Sequence, residues 1–125
     1  MLPMRHCKKK VTFWFANGAA GADLIQTPGV PFEGEILNIH QVNSSNTGAR
    51  TAKLEIVDEF GITTFDGTAK AHNAGYHHEF GVTIRRILAG KDTLRCTISG
   101  DPGASGYRID AVVSFFGRAP VDLSL

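Results

Sequence analysis

Apolar and polar residues alternate along this chain in short runs, and Gly, Pro, Asn and Asp separate the runs. The clearest run is Ser105 to Phe116. There Tyr107, Ile109, Ala111, Val113 and Phe115 share one face, and Arg108, Asp110, Val112, Ser114 and Phe116 the other. Asp92 to Ser99 is a second clear strand, and Leu94, Cys96 and Ile98 lie on its apolar side. Lys9 to Phe15 reads as a strand, and Ala19 to Ile25 as a weaker one. Glu33 to Asn43 carries Ile36, Leu37, Ile39 and Val42, a broken alternation that predicts a bulge. Thr51 to Val57 and Ile62 to Phe65 flank Asp58-Glu59-Phe60-Gly61 as a hairpin, closed by Asp66-Gly67. Ala69 to Gly75 reads as loop. His77 to Ile87 alternates through Phe80, Val82 and Ile84, but Ile84, Ile87 and Leu88 also fit a helical turn stopped by Gly90. Seven or eight strands spaced by about ten residues, with no long helix, predict an all-β antiparallel β-sandwich of jelly-roll type, a closed barrel being the alternative.

Length adds one constraint. The 125 residues predict a single domain over 1–125, with 1–10 expected as an N-terminal arm and 118–125 as a C-terminal tail, tied down by neighbouring subunits or by lattice packing. Lys and Arg number 13 against 12 Asp and Glu, which argues against a dedicated nucleic-acid binder. No apolar run approaches the roughly 18–20 residues of a membrane-spanning helix. Basic residues up to Lys10 followed by Val11 to Ala16 imitate a leader peptide, but that apolar stretch is shorter than the usual core of about 7–15 residues and alternates like a strand. Cys7 and Cys96 read as buried free thiols, with a bridge between them left open.

Candidate chemistry is sparse. His77 and His78 are adjacent and point to opposite faces, so they cannot share a metal on one strand. A metal site would need His40 with one of them, and solvated or singly bonded histidines are the simpler expectation. Asp58 and Glu59 occupy a turn, where acidic residues serve the backbone, and Glu55 and Asp66 are the remaining carboxylate candidates for acid–base work. No G-x-S-x-G occurs. Gly90-Lys91 lacks the hydroxyl residue of a phosphate loop, and Asn43-Ser44-Ser45 matches a glycosylation acceptor too short to carry weight alone. The expectation is no catalytic residue, no cofactor and no metal. Arg5, Lys8, Lys9 and Lys10 form a basic cluster. Phe13-Trp14-Phe15 and Phe115-Phe116 put aromatics on both faces of two strands, which suggests burial against another chain. The predicted partner contacts are Arg5, Lys8, Lys9, Lys10, Trp14 and Phe116.

The segment from Leu54 to Thr68, a strand, an acidic-Gly turn, a strand and Phe65-Asp66-Gly67, resembles a hairpin of small all-β virion proteins of tailed bacteriophages. Gly90 to Gly100, followed by a glycine-rich turn and a last apolar strand ending in Gly117-Arg118, resembles the same group, so the likeness spans Thr51 to Arg118. It implies a non-enzymatic capsid decoration or cement protein on the virion surface. Such a protein would bind the major capsid protein or other virion subunits and assemble as a homo-oligomer, a trimer by preference. A tail or head-fibre component is the nearest variant. The main competitor is a carbohydrate-binding sandwich, which needs exposed aromatic platforms, and Trp14, Tyr76 and Tyr107 are the available ones. A jelly-roll metalloenzyme using His40 or His77 is the third reading.

Overall fold

The computed structural model describes residues 5–16, 24–26, 33–79, 85–87, 92–100 and 102–118. Every element there is a strand: β1 Arg5–Phe15, β2 Leu24–Gln26, β3 Glu33–Asn43, β4 Ala52–Val57, β5 Thr63–Lys70, β6 Ala74–Glu79, β7 Arg85–Ile87, β8 Thr93–Ile98 and β9 Tyr107–Arg118. One antiparallel sheet runs β1-β9-β3-β6, with β7 also on β3, and the other runs β2-β8-β4-β5. β6 pairs with Asn38 to Asn43 and β7 with Gly34 to Ile36, along the same edge of β3. Taking β6 and β7, which share that edge, as one position leaves eight among the described residues, ordered 1-8-3-6 and 2-7-4-5, the order of a jelly-roll sandwich.

The core lies between the sheets. β9 contributes Tyr107, Ile109, Ala111, Val113 and Phe115, each at most 1% exposed. β1 adds Val11, Phe13 and Phe15, and the facing sheet adds Leu54, Ile56, Leu94, Cys96 and Ile98. Strand register follows from this set, because a slip of one residue would turn every apolar side chain outward. β1 and β9 stay in register from Arg5 opposite Gly117 to Phe15 opposite Tyr107. The bulge predicted in Glu33 to Asn43 falls at Leu37, where the pairing with β9 shifts between Ile36 and Asn38. Gly34 is required beside it, since a Cβ there would sit 2.5 Å from the Phe116 carbonyl oxygen.

Two expectations change, and one open alternative is decided. Asp66-Gly67 does not close the hairpin, because β5 continues to Lys70. Asp66 Oδ1 accepts the Thr68 amide at 2.8 Å and absorbs the turn chemistry within the strand. Ala69 to Gly75 is not all loop: only 71–73 separates β5 from β6. Of the two readings left open for the end of His77 to Ile87, Arg85–Ile87 takes the extended one and pairs with β3. Phe80, Val82, Ile84 and Leu88 lie outside the described residues, as do 1–4 and 119–125 of the expected arm and tail, while Arg5 to Lys10 lie within β1. Cys7 and Cys96 are free and buried. Burial pushes the Cys96 thiol up to about 12, as suits an unreactive core residue.

Candidate functional site

Strand alternation decides which predicted contact residues come together. On β1, Lys8, Lys10, Thr12 and Trp14 face outward and Cys7, Val11, Phe13 and Phe15 face the core. Arg5 and Lys9 share the parity of the core set, so the basic cluster is divided between the two faces, and Lys8 and Lys10 alone of the four project with Trp14. Phe116 is on the same outer face, at the end of β9 opposite His6, with ring centroids 5.0 Å apart. Of the doubled aromatics, Phe13, Phe15 and Phe115 belong to the core, while Trp14 is 52% exposed and Phe116 37%.

The register builds this outer face row by row across β1, β9, β3 and β6. Lys10, Val112, His40 and His77 form one row, and Lys8, Ser114, Asn38 and Glu79 the next. Val42 is exposed on the same face, and Leu37 is exposed at the bulge. Beside the bulge a cavity of about 470 Å³ opens, lined by His6, Lys8, Leu37, Asn38, Ser114 and Phe115 among others. The face therefore offers apolar side chains at both ends, a lysine pair along one edge and a concave region beside one end.

Sequence reasoning missed Leu37 and Val42, and also the hairpin tip, where Phe60 is 80% and Ile62 60% exposed. The signal was present in part. Asp58 Oδ1 accepts the amides of Phe60 and Ile62, both at 2.9 Å, and Gly61 takes a positive φ of 79°. A turn built that way cannot direct its apolar residues back to the core.

The candidate catalytic groups have structural tasks. Glu55 is buried and receives Arg95 through Nε at 3.2 Å and Nη2 at 3.1 Å, with Lys53 Nζ at 3.7 Å. Asp66 stands opposite Glu55 in the β4–β5 register but is bonded to Thr68. Tyr107 is no sugar platform: it is fully buried, its hydroxyl donates to the Arg50 carbonyl at 3.0 Å, and burial pushes its pKa up to about 12. Tyr76 is half-buried and donates to the Ala71 carbonyl at 3.3 Å, so of the three platforms Trp14 alone is exposed. Asn43 is 2% exposed and its amide nitrogen donates to the Lys70 and Ala71 carbonyls, so it offers no accessible glycan acceptor.

The histidines divide as their adjacency predicts. His77 is outside and His78 inside. His78 Nε2 meets Gln41 Oε1 at 2.8 Å, and the Gln41 amide nitrogen donates to Asn43 Oδ1 and to the Ala52 carbonyl. Because the Gln41 oxygen can only accept, His78 carries its proton on Nε2. Burial holds the His78 pKa below its ordinary value, and the charges of Lys70 and His77 add to this. This polar chain, two strands deep, was invisible to a reading that expected the inner face to be apolar. Outside, His40 and His77 meet ring to ring. Among the described residues no group of three or more His, Cys, Asp and Glu side chains is placed to hold a metal ion.

No family model matches the chain, and no curated protein matches it. Among solved structures, the SPBc2 prophage-derived protein YomS superposes with a TM-score of 0.49 at 19% identity, over 86% of this chain and 94% of that one. A chain of the infectious bursal disease virus Gx strain structure gives a TM-score of 0.34 at 11% identity, over 90% of this chain and 32% of that one.

Proposed function

We propose that this chain is a non-enzymatic structural component of a virus particle, a decoration protein on the capsid surface. In this reading it contacts the major capsid protein or neighbouring virion subunits through the outer face of the β1-β9-β3-β6 sheet, and it assembles as a trimer. A jelly roll by itself does not select a function, since the fold serves capsids, lectins and cupin enzymes alike. The observation that carries the reading is the outer face. Four of the six exposed large hydrophobic residues among those described, Trp14, Leu37, Val42 and Phe116, lie on it with Lys8 and Lys10. Apolar side chains rimmed by charge are what an intersubunit contact uses. Support also comes from the Thr51 to Arg118 resemblance and from the structural employment of Glu55 and Asp66. The sugar-binding alternative loses its row of platforms with the burial of Tyr107.

The test is co-sedimentation with particles lacking the protein. The wild-type chain is expected to bind saturably to heads, and Trp14→Ala and the double variant Lys8→Glu/Lys10→Glu are expected to bind far less. Binding to tails alone would overturn the decoration reading in favour of a tail or fibre component. No binding, or equal binding by the outer-face variants, would overturn the proposed contact.

A further inference from the structure

His40 on β3 and His77 on β6 stand directly opposite one another in the register. Nδ1 of His40 lies 3.0 Å from Nε2 of His77, and the rings are 4.4 Å apart at 70°. The His77 side chain is 58% exposed, so the pair is open to solvent. Glu79, two residues along the same face, places Oε1 3.6 Å from the other His77 nitrogen, Nδ1. A carboxylate on that side favours the proton on Nδ1 and leaves the Nε2 lone pair toward His40, the arrangement that orients metal-bound histidines. In the metal-free pair His40 then donates from Nδ1. Moving that proton to His40 Nε2 frees the second lone pair without a change in net charge. His40 Nε2 lies over Gly75, where a Cβ would come within 3.2 Å of it.

A metal about 2.1 Å from each nitrogen, with the nitrogens near their present 3.0 Å separation, would subtend an angle of roughly 90°, which the cis positions of a tetragonal ion accept. Among imidazole-binding divalent ions Cu(II) binds most tightly. We propose that His40 and His77 form a two-histidine chelate for a tetragonal divalent transition ion, Cu(II) ahead of Ni(II), with Glu79 orienting His77 and water filling the remaining positions. No third protein donor joins them among the described residues, so the site is open and binds less tightly than a closed centre. The inference stands independently of the virion reading.

The experiment is a titration of the full chain with Cu(II), read by calorimetry and electron paramagnetic resonance, at a pH where both rings are neutral. The expected result is a leading site of one Cu(II) per chain with two nitrogen donors. His40→Asn and His77→Asn, both on the outer face, should each weaken it by at least about tenfold, since even outer-sphere partners of a metal site are commonly worth that much. Each should also reduce the spectrum to one nitrogen, while His6→Asn changes neither readout. A leading site unaffected by the His40 and His77 variants, or a one-nitrogen spectrum in the wild type, would overturn the proposal. Unchanged metal-free melting curves for the variants separate loss of the site from loss of the fold.

Discussion

Replacing Gln41 by leucine removes the centre of the buried polar chain while nearly conserving volume. Gln41 is fully buried and holds three partners: it accepts from His78 Nε2 at 2.8 Å and donates to Asn43 Oδ1 at 2.9 Å and to the Ala52 carbonyl at 3.2 Å. Asn43 is 2% exposed and His78 9%, so water cannot readily replace what is lost. An unsatisfied buried donor or acceptor costs about 1–3 kcal/mol. Three such groups at the low end of that range give a loss of about 3 kcal/mol. Against a total stability of roughly 5–15 kcal/mol this is large, and it should lower the urea midpoint by about 1.5–2 M at an ordinary denaturant slope. Far-UV circular dichroism is the better probe, because Trp14 is 52% exposed and reports the core poorly. The partner variant His78→Phe completes a double-mutant cycle, with an expected coupling above about 1 kcal/mol for residues in direct contact. A loss under about 1 kcal/mol at unchanged slope, or full additivity with His78→Phe, would refute the argument that Gln41 is the centre on which this buried chain of bonds depends.

Two further outcomes follow from the same interior. The folded state holds the His78 pKa below the ordinary 6.5, so on acidification the unfolded chain takes up a proton before the folded one does. The His78 contribution to stability is therefore fully present above 6.5 and is lost as pH falls through 6.5 toward and past the folded value. His78→Gln, which keeps a donor for Gln41 but does not titrate, should flatten stability against pH in that window, and an unchanged slope in urea titrations would contradict the assignment. Asn46 is 3% exposed and joins its loop to the 102–106 turn, donating to the Pro102 and Gly106 carbonyls and accepting from the Gly48 and Arg50 amides. Asn46→Ala should lower the melting temperature by about 10 °C, from a loss of about 2–3 kcal/mol, and calorimetry showing no shift would remove Asn46 as a tie between the loops.

The sandwich is legible where alternation is pure. Tyr107 to Phe115 and Leu94 to Ile98 put every second residue in the core, and the Leu37 bulge announces itself as a phase break between Ile36 and Ile39. The pattern fails where polar residues occupy inner positions. Gln41, Asn43 and His78 look outward-facing by type but are buried, because they satisfy one another. β6 carries few apolar residues for the same reason, so Ala74 and Gly75 read as loop. Asp66-Gly67 reads as a turn because the local bond to Thr68 is turn chemistry placed inside a strand. At the surface, Lys8, Lys10, Trp14 and Phe116 share the outer face, whereas Arg5 and Lys9 have the parity of the core set, a division that residue type alone does not reveal. The His40–His77 contact needed the β3–β6 register, which pairs residues 37 positions apart.

A decoration protein is a stoichiometric part of the particle, and quantitative mass spectrometry of purified particles from the genome that encodes this chain would show it. The protein should be present at a fixed ratio to the major capsid protein and be recovered with heads. Absence from the particles, or a trace level that varies between preparations, would contradict it.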